Sequence, residues 1–278
     1  MTALHHRPPA APFRRLALAL LLAAGLPGWM PAADSAPSNP PPASAAQPSS
    51  PTPPPPVATA FQAGIDAYLV SDFEAAADQF KKAVAESPSA GAWHNLGNAE
   101  WQRGKTGPAI LAWERAAWLD PFNPNPRANL RAARKSAQID APDLSWHELC
   151  STWLPVDAWA WVAAFSFWLA VALMLLPNLL HWRRADWRQG LAAAGLAVFL
   201  LTLPALAGVQ SRSRIGIVVN PDTPLRLTPT QEAQTLAKIP AGAMARLERR
   251  RGDYVYVRTQ FDSAGWLKQS DFGLISQR

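Results

Sequence analysis

Apolar and polar positions follow different periods in different parts of the chain. A short apolar run, Leu16 to Leu26, follows the basic residues Arg7, Arg14 and Arg15. From Asp34 to Val57 the chain is mostly Pro, Ala and Ser, with no apolar period. From residue 59 to 138 apolar residues recur at helical spacing, three and four apart. Two uninterrupted apolar runs follow, Ala158 to Leu176 and Leu191 to Val209, neither holding a charged residue. From Ile215 to Ile275 the pattern becomes alternation, as half-buried strands require. These regimes predict a multidomain membrane protein: all-α helical repeats, a transmembrane helical hairpin and a small all-β barrel.

Each uninterrupted run is close to the ~20 residues a helix needs to cross the hydrocarbon of a bilayer. The spans are expected at 158–177 and 191–209, joined by a polar loop at 178–190 that carries Arg183, Arg184 and Arg188. Lys and Arg near a span favour the cytoplasmic side. The approach from Asp140 to Asp157 has none, so the loop is expected in the cytoplasm and both termini outside. Arg212 and Arg214 after the second span are a smaller, contrary signal. Residues 1–33 have the order of a signal sequence: basic start, short apolar run, break at Pro27-Gly28 and small residues Ala32 and Ala33 as a cleavage site. Residues 34–58 are too poor in apolar side chains to offset ordering entropy, which predicts a Pro-rich disordered linker.

The helical region repeats itself. Gly64, Ala76, Phe80, Ala83 and Pro88 return 33 residues later as Gly97, Ala109, Trp113, Ala116 and Pro121. Small residues at the first two positions let paired helices approach closely, aromatics fill the space between pairs, and the prolines end each second helix. With Trp93, Leu96-Gly97, Gly104 and Ala109, the second unit resembles the tetratricopeptide repeat. A further helix, Pro126 to Ala137, carries Leu130 among Arg127, Arg131, Arg134 and Lys135, and reads as a polar cap over the stack. The resemblance implies a concave protein-binding groove built from the first helix of each pair: Phe61, Ile65, Tyr68 and Leu69, then His94, Asn98, Trp101 and Gln102. Phe61 and Ile65 stand where relatives that clamp a C-terminal carboxylate have Lys and Asn, so an apolar or amphipathic peptide is the expected ligand.

Between repeats and spans, residues 143–156 predict an interfacial amphipathic helix. Ser145 and Glu148 form a capping-box pair, and Trp146, Leu149, Cys150 and Trp153 share one face. Residues 215–275 predict five short strands, with Met244–Glu248 and Tyr254–Val257 making a hairpin whose tip carries Arg249, Arg250 and Arg251. "Leu-Arg", a Pro-x-Gly turn, "Tyr-Val-Tyr-Val" and "Gly-Trp-Leu", in that order, make this segment similar to bacterial SH3-like domains. The three arginines and Trp266 are its candidate contact to an anionic lipid surface or wall polymer.

The net charge of +6 does not describe a nucleic-acid-binding surface, because much of it belongs to the signal region and the hairpin loop. The repeats are nearly balanced in charge and only the C-terminal segment is clearly basic. The single cysteine, Cys150, cannot form an intrachain disulfide or a four-cysteine metal site. No metalloprotease, phosphate-loop or nucleophile-elbow motif occurs, so no catalytic residue, metal or cofactor is expected. The whole order (signal, tetratricopeptide repeats, two spans, SH3-like segment) resembles the BatE-type proteins of the Bacteroides aerotolerance (Bat) operons. That resemblance implies a non-enzymatic inner-membrane scaffold with periplasmic domains, serving aerotolerance or envelope stress. Its implied partners are von Willebrand-A-type membrane proteins and a MoxR-type ATPase system. The alternative is an envelope protein that binds peptidoglycan through the SH3-like segment.

Overall fold

A computed structural model describes residues 56–140, 143–179, 186–260 and 263–276. The expected signal sequence, all but the end of the Pro-rich linker, and Arg183 and Arg184 of the loop lie outside the described residues. Among the described residues, eight helices precede an antiparallel seven-stranded sheet.

The repeats form two helical pairs: α1 (Pro56–Leu69) with α2 (Phe73–Glu86), and α3 (Ala90–Gln102) with α4 (Thr106–Leu119). α1 begins at Pro56 rather than at 59, since proline at the start of a helix loses no hydrogen bond. Asp72 and Ser89 cap α2 and α3, accepting from the backbone N–H groups of Ala75 and Ala92. The 33-residue spacing has a direct structural meaning. A Cβ on Gly64 would lie 2.7 Å from the Phe80 ring, and one on Gly97 would lie 2.5 Å from the Trp113 ring. Each aromatic thus sits where its partner helix has no side chain.

The stack ends in a helix that exposes Arg131 and Lys135, yet the core does not stop there. α5 (Pro124–Ala137) buries Pro126, Leu130 and Ala133, and Arg134 forms an ion pair with Glu114 of α4. Beyond them the core continues into the sheet. Ile110, Leu111 and Trp113 of α4 share one apolar cluster with Leu130, Ala133, Ile215, Ile217 and Ile275.

The strands are β1 (Ile215–Val218), β2 (Thr223–Arg226), β3 (Thr235–Ile239), β4 (Met244–Arg251), β5 (Tyr254–Thr259), β6 (Ala264–Lys268) and β7 (Phe272–Leu274). Their order across the sheet is β3-β2-β6-β5-β4-β1-β7. Seven strands stand where five were expected, because short β3 and β7 extend the two edges. All four residues of β1 are buried. Ile215 and Ile217 face the α4 cluster, whereas Val218 joins Leu225, Val255, Val257 and Leu267 in the sheet's own core. Where α4 meets the sheet the backbones nearly touch. A Cβ on Gly107 would lie 2.1 Å from the Val219 carbonyl oxygen. The Arg115 guanidinium stacks 4.6 Å from the Trp93 ring centroid and donates from Nε to the Leu274 carbonyl at 3.0 Å. Burial lowers its pKa to about 10, so it remains a cation at neutral pH.

Two helices, α7 (Val156–Leu179) and α8 (Asp186–Arg212), are long and apolar enough to cross a membrane. They fold against each other through Gly195, whose Cβ would meet Ser166 and Ala170, and through Phe167 and Phe199 at 5.2 Å. Ser166 and Thr202 donate to backbone carbonyls of their own helices, so neither hydroxyl needs water. Trp161, Phe165, Trp168, Met174 and Leu201 point outward. The expected loop at 178–190 is shorter than predicted: α7 runs through Leu179 and α8 starts at Asp186, with Arg188 in its first turn.

The expected amphipathic helix at 143–156 shrinks to α6 (Trp146–Cys150). Pro155 disfavours helical geometry in the residue before it, so the chain turns before α7 begins. α6 lies directly on α8, where a Cβ on Gly208 would be 2.1 Å from the His147 carbonyl oxygen. Trp146, Leu149 and Trp153 remain exposed. Glu148 points the other way and is 1% exposed. Its carboxylate accepts from the Ser145 backbone N–H at 3.0 Å and from the Ser211 hydroxyl, and pairs with Arg246 at 2.8 Å. Arg212 reaches the Ser151 hydroxyl at 3.2 Å and stacks on Trp118 at 4.9 Å. One polar knot therefore ties α6, the end of α8, α4 and β4 together.

Candidate functional site

Along α3 and α5 runs a groove of about 620 Å³. Five of the predicted groove residues, Tyr68, His94, Asn98, Trp101 and Gln102, line it. Three others do not. Phe61 and Ile65 pack against the core of the first helical pair, Phe61 meeting Phe80 edge-on at 5.8 Å, and Leu69 is 76% exposed. The reason is geometric: α1 is the outer helix, so its apolar positions serve its own pair.

The opposite wall comes from α5, through Asn125, Ala128, Asn129, Ala132, Ala133 and Ser136. These residues were missed when α5 was read as a solvated cap. Their signal was spacing. Asn125, Asn129, Ala132 and Ser136 follow at four, three and four residues, a stripe of amide and small side chains on one face.

Among the described residues, no charged side chain lines the groove. Its floor is aromatic, with Trp101 and Trp113 tilted at 5.8 Å. Its polar groups are ordered by Asn98. The Asn98 Oδ1 accepts from Trp113 Nε1 at 3.0 Å and from Asn129 Nδ2 at 2.9 Å. An indole nitrogen can only donate, so this contact orients the amide. Asn98 Nδ2 then faces His94 Nε2 at 3.3 Å as a donor, and Nε2 must accept. A neutral imidazole with Nε2 accepting carries its proton on Nδ1. Burial lowers the pKa of His94, which favours that neutral ring. Among the described residues no protein group reaches His94 Nδ1, which is shielded from solvent. The groove therefore offers amides that can both donate and accept over an aromatic floor, with the neutral His94 ring helping to fix the orientation of Asn98.

No protein-family model matches the chain, and a search of curated proteins finds no match to it. The site is read from its geometry.

The second candidate group divides. The arginines are the last three residues of β4 rather than the hairpin tip, which is Gly252–Asp253 with Gly252 at φ +54°. The register shifts at Glu248, so Leu247 pairs with Val257, Arg249 with Tyr256, Arg250 with Val255 and Arg251 with Tyr254. Residues opposite each other share a face. Arg249 and Arg251 accordingly lie on the face of Tyr256 and Trp266, whose rings meet at 5.2 Å. Arg250 lies on the other face, with Leu247. Cys150 is a free, half-buried thiol, while His147 Nε2 lies 3.2 Å from the Ser145 hydroxyl. Among the described residues no cluster of His, Cys, Asp and Glu could hold a metal ion.

Proposed function

We propose that this protein is a non-enzymatic scaffold of the bacterial inner membrane that holds a partner protein in the α3–α5 groove. The observation that carries this reading is the groove itself. An uncharged, aromatic-floored trough edged by amide side chains suits an extended peptide, whose backbone groups would pair with Gln102, Asn125 and Asn129. Flanking amides match peptide groups, which also donate and accept. The 33-residue repeat, with Gly64 under Phe80 and Gly97 under Trp113, supports a tetratricopeptide identity for α1–α4. The order of turns and the Gly265-Trp266 pair support an SH3-like identity for the sheet. α7 and α8 would anchor both on the periplasmic face, with the arginine loop in the cytoplasm. On the Bat-type resemblance, the partners would be von Willebrand-A-type membrane proteins and their MoxR-type ATPase system.

The test is affinity capture with the full chain from mild-detergent extracts, comparing wild type with the paired change Tyr68→Ala and Gln102→Arg. A specific partner should be lost in the variant while the circular dichroism spectrum is retained. An unchanged partner set refutes the groove as the binding site.

A second reading, wall binding, is favoured by the cation-aromatic face of Arg249, Arg251, Tyr256 and Trp266. Co-sedimentation of the full chain with purified peptidoglycan sacculi separates the two. Pelleting that Trp266→Ala and Arg249→Gln abolish supports wall binding, and a chain left in the supernatant refutes it.

A further inference from the structure

A second cleft, of about 910 Å³, opens where α8 ends. Its walls come from Val84 and Ala85 at the end of α2 and Pro88 just beyond it, from Gln210 in the last turn of α8 and Arg214 just past it, and from Leu247 and Arg250 of β4. Among the described residues, Arg214 and Arg250 are its two charges, and no acidic side chain lines it. Neither arginine forms an ion pair among the described residues. The Ser213 and Ser276 hydroxyls donate to the carbonyls of Gln210 and Ser213, which leaves the two guanidiniums as the cleft's cationic donors.

Both arginines are brought there by specific backbone features. Arg214 is the second residue past the last turn of α8. Arg250 is turned into the cleft by the bulge at Glu248. Without that extra residue, Arg249 would follow Leu247 on this face and Arg250 would join Tyr256 on the other.

The cleft also continues into an apolar stripe. Leu203, Leu206 and Gln210 fall at i, i+3 and i+7 of α8, hence on one helix face, and Leu203 is 43% exposed. A ligand that fits both parts has an anionic phosphate head and a hydrocarbon tail.

We infer that Arg214 and Arg250 bind the phosphodiester headgroup of an anionic phospholipid, with an acyl chain lying along Leu203 and Leu206. This inference rests on the membrane reading of α7 and α8, since it puts the cleft at the headgroup plane where α8 leaves the hydrocarbon. Arginine pairs phosphate oxygens through two parallel N–H donors, and two arginines across one cleft can hold two oxygens of one diester. Each basic residue near an anionic surface contributes on the order of fivefold in affinity, so the pair should give about 25-fold.

The experiment uses the full chain. Carbonate extraction of membranes first tests integration. Native mass spectrometry in detergent then compares phosphatidylglycerol with phosphatidylcholine adducts, with and without millimolar inorganic phosphate. Wild type should prefer phosphatidylglycerol, Arg214→Gln with Arg250→Gln should lose most of that preference, and Arg249→Gln with Arg251→Gln, on the opposite face, should keep it. A chain that resists carbonate but shows equal adducts in all three forms overturns the lipid site alone. Displacement of the lipid by inorganic phosphate overturns it in favour of a free-anion site. Release by carbonate overturns the membrane reading and the lipid site together.

Discussion

Gly107→Ala separates a helical stack that merely neighbours the sheet from one that shares a core with it. Gly107 is in the first turn of α4. In a helix open to solvent, replacing glycine by alanine stabilises by about 0.5–1 kcal/mol, because the unfolded chain loses freedom. Here the new methyl would lie 2.1 Å from the Val219 carbonyl oxygen and 2.9 Å from that of Val218. These oxygens cannot easily recede. Val218 N–H donates to Ala243, Val219 N–H to Asp271, and the Val218 carbonyl accepts from Gly242 at 2.7 Å. Forcing a methyl into packed surroundings costs about 1–3 kcal/mol, which exceeds the helical gain. The net effect should be destabilisation of about 1–2 kcal/mol. Denaturant unfolding in detergent reads the sign, and hydrogen exchange reads the place. Protection should fall both in α4 and around Val218–Gly242. A variant of unchanged or higher stability, with exchange in β1 unaltered, would show that helices and sheet are independent.

The pH response should centre on Glu148. Burial alone would raise its pKa, but bonds from Ser211, Arg246 and Ser145 outweigh burial and hold it at about 2. Its folded pKa lies below its ordinary value of 4.5, so its stabilisation is complete above that value and is lost as pH falls from 4.5 towards 2. The difference corresponds to about 3 kcal/mol. Glu148→Gln should flatten this part of a melting-temperature profile, whereas a profile as steep as wild type would assign the acid response elsewhere. For His94, nitrogen NMR of labelled protein at neutral pH should find the proton on Nδ1; a proton on Nε2 would undo the assigned network. His94→Ala should weaken partner binding by roughly 2–12-fold, because it removes the hydrogen bond that helps to hold Asn98 in place.

Much of the fold is legible in residue patterns because local periods follow burial. The glycine-aromatic pairs 33 residues apart, the two uncharged runs and the alternation around Tyr254–Val257 each report a nearby contact. The shared core was harder to read, although its trace was present. α4 buries Gly107, Ala109, Ile110, Leu111, Ala112, Trp113 and Ala116, nearly its whole circumference. A terminal repeat facing water would keep one polar face. β1 carries Ile215 and Ile217 on one side and Val218 on the other, the pattern of a strand covered twice. The α5 wall of the groove was hidden by its arginines, which drew attention from the Asn125–Ser136 stripe between them. The bulge at Glu248 left no sign, since a run of charged residues has no alternation to interrupt. The eight predicted groove positions share one weakness: spacing assigns a face of a helix, not which neighbour covers it. Phe61 and Ile65 were lost for that reason.

The central claim is that the groove between α3 and α5 holds a partner protein. Photo-crosslinking in intact cells tests it most directly, with a photoreactive amino acid placed singly at Gln102, at Ala132 on the facing wall, or at exposed Lys82 outside the groove. The same adduct should form from Gln102 and Ala132 and be absent from Lys82. No adduct from either wall, or the same adduct from Lys82, would contradict the account.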